Sequence, residues 1–97
     1  MAVTEAESEI LTALWDQGPL SAQALVATVR TRKSWAEPTI KTLLHRLLKK
    51  DLVRSSRDDG RHLYHALIER EAYYQGEIQA LADRLFHGRR DEIRKRL

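Results

Sequence analysis

Cysteine is absent from the 97 residues, which excludes disulfides and any thiol nucleophile. Only four glycines and two prolines occur, and no glycine-rich loop precedes a helix, so nothing is placed to cradle a nucleotide phosphate. The apolar runs are a few residues long, far below the ~20 that cross a bilayer, and no basic region followed by an apolar stretch opens the chain. Neither a membrane span nor a secretion signal is expected, and the cytoplasm is the expected compartment. The serines fall at caps, loops or hairpin positions without a neighbouring histidine and acid, so an enzyme is not expected. His62 and His65, the one close histidine pair, stand three apart in an extended run and point to opposite faces, so neither a metal nor a cofactor is expected.

What is present is a single small domain of uneven charge. Residues 1–29 carry Glu5, Glu7, Glu9 and Asp16 and no lysine or arginine, whereas residues 30–57 carry nine of those bases against Glu37 and Asp51. Such a central concentration suits an approach to a polyphosphate with one face; a merely solvated face is the plainer alternative. Thr4 with Glu7 forms a capping box, and Ile10, Leu11, Leu14 and Trp15 share one side of a helix over about 4–17 that Gly18-Pro19 ends. Ser21 caps a second helix to about Val29, with Leu20 and Leu25 as a hydrophobic staple. Pro38 suits the first turn of a third helix from near Glu37, in which Ile40, Leu43, Leu44, Leu47 and Leu48 form the clearest helical period in the chain. Strands near 52–56 and 61–67 flank Asp58-Asp59-Gly60, and a helix follows from Glu69 to Leu85, then a break at Gly88. The order of elements predicts a fold that is mainly α with a small β-hairpin: a winged helix-turn-helix over 1–68, expected to be the DNA-binding part, followed by a C-terminal helical segment over 69–97, expected to be the dimerisation part.

The outer face of the third helix offers Thr39, Lys41, Thr42, His45, Arg46, Lys49 and Lys50 and no acid. Lys41, Thr42 and His45 make one stripe and Thr39, Thr42 and Arg46 an adjacent one, both starting in the half that reaches bases in a major groove. Arg46 can pair with guanine and the Thr42 methyl can touch thymine. Lys49 and Lys50 suit phosphates, or simply complement the helix dipole. Around the hairpin, Arg54, Arg57 and Arg61 are candidate backbone contacts, while Asp58 and Asp59 keep the turn itself away from phosphate. Trp15 and Trp35 read as core plugs rather than stacking platforms.

With those residues in view, the chain resembles the penicillinase and methicillin-resistance repressor family, which also contains copper-responsive repressors. The likeness runs from Thr4 to about Gly88: Glu5-Ala6-Glu7 ahead of Ile10 and Leu14-Trp15; Gly18-Pro19-Leu20-Ser21-Ala22; Trp35 before Thr39-Ile40-Lys41-Thr42-Leu43-Leu44-His45-Arg46-Leu47; Gly60-Arg61; and Tyr64 before Leu67-Ile68 and Arg70-Glu71. The resemblance implies a homodimeric winged-helix repressor on an inverted-repeat operator, with Thr39, Lys41, Thr42 and Arg46 in the recognition role and Arg61 in the wing role. Ala36 stands where the family commonly has a serine cap, Ala66 where it often has proline, and Asp51 where a glycine commonly closes the third helix. The Asn-Phe bond at which the family's β-lactam-responsive members are cleaved has no counterpart among these residues, since asparagine is absent, and the cysteines of its copper-responsive members are absent too.

The partners expected are double-stranded operator DNA and a second copy of the chain, joined through Tyr74, Ile78, Leu81, Leu85, Phe86, Ile93 and Leu97. An abbreviated dimer surface is expected, because the chain ends some residues before typical members do. A winged-helix protein-interaction module and a non-specific nucleic-acid binder are the alternatives. A regulatory protease is left as an unidentified further partner.

Overall fold

The computed structural model describes residues 3–86. Thr4 opens α1 (Glu5–Gln17) with reciprocal bonds: its hydroxyl accepts from the Glu7 N–H at 3.1 Å, and the Glu7 carboxylate accepts from the Thr4 N–H at 2.8 Å. Gly18, at φ 80°, takes the chain out of the helix where a side chain would be strained. Ser21 then caps α2 (Ala22–Arg30) by accepting from the Ala24 N–H. The third helix, α3 (Glu37–Lys49), begins after Ala36, which supplies no side-chain cap; Pro38 in its first turn removes one donor that would have lacked a partner.

At its other end α3 closes through Asp51, held at φ 59°. The Asp51 N–H donates to the Leu48 carbonyl and the Leu52 N–H to the Leu47 carbonyl, the paired bonds that usually accompany glycine at this place. The wing follows at once as an antiparallel pair, β1 (Val53–Asp58) and β2 (Arg61–Ala66). Asp59 and Gly60 both have positive φ, the two-residue turn whose twist matches the strands. Leu20 also exchanges backbone bonds with Tyr64 in both directions, at 3.2 and 2.8 Å. The α1–α2 connection is thus sewn to the edge of the wing, a pairing that the staple reading of Leu20 does not contain.

The core is formed by Ile10, Leu11 and Leu14 of α1, Leu25, Val26 and Val29 of α2, and Ile40, Leu43, Leu44 and Leu47 of α3, with Val53 closing it from β1. Both tryptophans pack against it. The Trp15 indole N–H donates to the Ile68 carbonyl at 2.9 Å, and its ring lies 5.6 Å from that of Tyr73 and 5.5 Å from the Arg70 guanidinium. Arg70 also pairs with Asp16. These contacts root the last helix, α4 (Arg70–Phe86), on α1.

Beyond its root α4 stands off from the body, and the described molecule measures 57 × 28 × 21 Å. One side of the helix, with Ala72, Tyr73 and Gly76, lines an open cleft of about 630 Å³ facing Val3, Leu52 and Ile68. Tyr74, Ile78, Leu81 and Leu85 are exposed, Ile78 and Leu85 at 62% each. Phe86 closes the helix, while Ile93 and Leu97 lie outside the described residues. No helix among the described residues is long and apolar enough to cross a membrane.

Asp51 pays a left-handed backbone cost that glycine would avoid. Asp51→Gly is expected to stabilise the fold by about 0.5–1 kcal/mol, read as a higher urea midpoint at unchanged slope.

Candidate nucleic-acid interface

Burial of the apolar row of α3 turns its remaining residues outward, so Thr39, Lys41, Thr42, His45, Arg46 and Lys49 are all exposed. Thr42 donates its hydroxyl proton to the Pro38 carbonyl at 2.9 Å, which leaves it an accepting oxygen and a methyl group to offer a base edge. Lys41 lies 3.7 Å from the Glu37 carboxylate in the first turn, an exposed pair of small energetic consequence. Arg46 and Lys49 have no ion-pair partner among the described residues, and their charge is available to a ligand.

Lys50 departs from the expectation that groups it with Lys49. Its ammonium is 2.7 Å from Glu7 Oε1, 43 positions back in the chain, and Glu7 is fully buried. The helical period contains the reason: Lys50 follows Leu43 by two turns and therefore lies on the flank of the core, not on the outer face. The expected phosphate contact is drawn inward by an acid that reads, in the sequence, only as half of a capping box.

On the wing, Arg54, Arg57 and Arg61 are exposed. The register pairs Arg54 with His65, Arg57 with His62 and Asp58 with Arg61. Arg54 and Arg61 consequently share one face with Ser56 and His65, whereas Arg57 stands on the other with Val53, His62 and Tyr64. His62 and His65 are on opposite faces, and the His62 ring stacks 5.1 Å from Tyr64. A 2.6 Å hydrogen bond joins Ser56 Oγ and His65 Nε2 across the strands. The two-residue turn fixes this register, so that diagonal contact was recoverable from the sequence.

A family model described as penicillinase repressor matches residues 3–96. This chain belongs to the penicillinase repressor family. The methicillin resistance regulatory protein MecI of Staphylococcus aureus (strain N315) is 30% identical over 67 residues, 69% of this chain and 54% of that protein. A 16.5 kDa protein of Latilactobacillus sakei is 26% identical over 83 residues, 86% of this chain and 57% of its own length. Among solved structures, the monomeric form of Bacillus licheniformis BlaI in complex with the blaP half-operator superposes with a TM-score of 0.68 at 22% identity, over 75% of this chain and 89% of that one. That likeness shows the winged-helix fold. The chain spans about half the length of the curated relatives it matches.

In this member of the penicillinase repressor family the buried acid has a consequence for stability. Burial by itself would push the Glu7 carboxyl up; the Lys50 ammonium and the Thr4 N–H and hydroxyl outweigh it and hold the group below its ordinary value of 4.5. The stability that Glu7 contributes is therefore complete above pH 4.5 and is lost as pH falls through the lower folded value. Urea midpoints measured from neutral pH downward should fall through that window, and Glu7→Gln should remove this part of the decline while lowering stability at neutral pH.

Proposed function

We propose that this chain is a sequence-specific DNA-binding transcriptional repressor that acts as a homodimer on an inverted-repeat operator. The observation that carries the reading is the outer face of α3, where Thr39, Lys41, Thr42, His45, Arg46 and Lys49 are exposed together on a helix whose other side is locked into a winged-helix core. The names of the relatives, a resistance regulator and a repressor structure solved with its half-operator, support it. The family is one of repressors, and no catalytic role is assigned.

In the proposed complex α3 enters the major groove. Arg46 pairs with a guanine, the Thr42 methyl meets a thymine, and Lys41, His45 and Thr39 border them. Lys49 neutralises phosphate, and Arg54, Arg57 and Arg61 hold the backbone beside the wing. Repression then follows from occupancy of the promoter. Residues 1–68 are the DNA-binding part and residues 69–97 the dimerisation part. Tyr74, Ile78, Leu81 and Leu85 recur at alternating steps of four and three residues, the spacing at which two helices pack along a seam, and Phe86, Ile93 and Leu97 continue the proposed contact. One such helix reads only a few base pairs, so two copies on a symmetric site supply the discrimination that a genome demands.

Selection of duplexes from a randomised pool, followed by affinity measurements against salt, tests the reading. Preference for one duplex family with steep salt dependence is expected; no duplex affinity points to a protein-interaction module, and equal affinity for all duplexes to a non-specific binder. Arg46→Ala should cost about 1–3 kcal/mol at one base position, whereas Lys49→Ala should weaken all duplexes alike and lower the salt slope by about one. Leu81→Asp with Leu85→Asp should give folded monomers with weak binding to the selected duplex, seen by light scattering beside circular dichroism; a persisting dimer with intact helix content places the interface elsewhere.

A further inference from the structure

The Glu7–Lys50 contact links the first turn of α1 to the residue that caps α3, a place where a DNA-reading surface has no use for a buried acid. The Glu7 side chain has no exposed surface and that of Lys50 keeps 31%. One Glu7 oxygen takes both the Thr4 N–H and the Lys50 ammonium, while the other is buried without a hydrogen-bond partner among the described residues. Buried ion pairs are poor sources of net stability, because desolvation offsets the attraction; their best-attested use is to fix one geometry against others. The next residue, Asp51, turns the chain out of α3, and Val53 begins the wing two residues later, so whatever fixes Lys50 also fixes where the wing departs.

We propose that Glu7 and Lys50 are positioning residues for α3: their contact pins its C-terminal end to α1, sets the tilt at which Thr42 and Arg46 are presented to DNA, and withholds Lys50 from phosphate. The inference rests on the DNA-binding reading above. The 13 residues of α3 span about 20 Å, so once its C-terminal end is released a tilt of about 10° about the other end moves Arg46 by roughly 2 Å and Thr42 by roughly 1 Å, more than a direct hydrogen bond tolerates. Loss of the pin should therefore erode selectivity before it erodes attraction to phosphate.

The probes are the duplex enriched by the wild-type chain from a randomised pool and a scrambled duplex of the same composition. Glu7→Gln keeps the volume and the capping acceptor while removing the charge, Lys50→Met keeps the stem, and Lys50→Arg keeps the charge. Glu7→Gln and Lys50→Met are expected to lose about tenfold or more on the enriched duplex and about twofold or less on the scrambled one, at an unchanged salt slope, with Lys50→Arg restoring most of the loss. The opposite pattern identifies a phosphate contact and overturns the proposal: Lys50→Met weakens both duplexes equally and lowers the slope by about 0.9, while Glu7→Gln, which frees the lysine, tightens binding. Wild-type behaviour in both variants overturns it as well. Should either single variant melt too low to assay, Glu7→Gln with Lys50→Met leaves no buried charge, and its selectivity ratio decides. If the wild-type chain enriches no duplex, the DNA reading fails while the pin stays testable in the free protein. Hydrogen exchange of the Lys50, Asp51 and Leu52 amides should then accelerate in Glu7→Gln more than that of α2, and unchanged protection there overturns the pin.

Discussion

Burial of Ile40, Leu43, Leu44 and Leu47 against α1 and α2 is the constraint from which the candidate interface follows. Each such side chain gains about 1.5–3 kcal/mol on leaving water, whereas an exposed ion pair such as Lys41 with Glu37 gains at most about 1 kcal/mol. The rotation of α3 about its own axis is therefore decided by its leucines and not by its charges. Once that rotation is set, Thr42 and Lys49 face outward with Arg46 on one flank and His45 on the other. In geometry, the polar face is a by-product of the core.

A second constraint acts at Trp15. Its indole satisfies the Ile68 carbonyl, and its ring meets Tyr73, Tyr74 and Arg70, so the strongest attachment of α4 to the body is concentrated in the first turns of that helix. Farther along, Ile78, Leu81 and Leu85 gain little from the body, and one face of the helix borders an open cleft. A helix of 17 residues draws most of its stability from packing an apolar side, and these residues leave much of that side in water. This imbalance is the physical support for assigning α4 to assembly in the proposed function.

Local chemistry was legible in the sequence and distant chemistry was not. The capping box of Thr4 and Glu7, the Ser21 cap, the period of α3 and the Asp59-Gly60 turn each involve groups within a few residues of one another, and the structure contains all of them. Pairing of Leu20 with Tyr64 and bonding of Trp15 to Ile68 depend on how elements dock, which no local period encodes. Lys50 is an intermediate case. Its position relative to Leu43 placed it beside the core, but that the buried Glu7 would meet it there required the packing of α1 on α3. A contiguous Lys49-Lys50 pair reads as one charged patch only if helical rotation is neglected.

Both ends of α3 depart from the usual local devices, and the departures bear on how the helix is held. Ala36 offers no cap, and Asp51 occupies a left-handed position that favours glycine. A helix with weak local ends takes its placement from tertiary contacts: the apolar row along its length and the Lys50 contact with α1 at its exit. The row resists displacement of the helix from the body but is made of non-directional contacts, which tolerate small changes of tilt. A charge-assisted hydrogen bond at 2.7 Å is directional, and it sits at the end where the chain continues into the wing. The two kinds of contact thus divide the task, the leucines deciding which face of α3 is outward and the α1 carboxylate restricting the angle at which that face is presented. In the proposed complex the recognition geometry would then belong to α1 as much as to α3, and a substitution in the first turn of the chain would alter what the third helix reads without touching DNA.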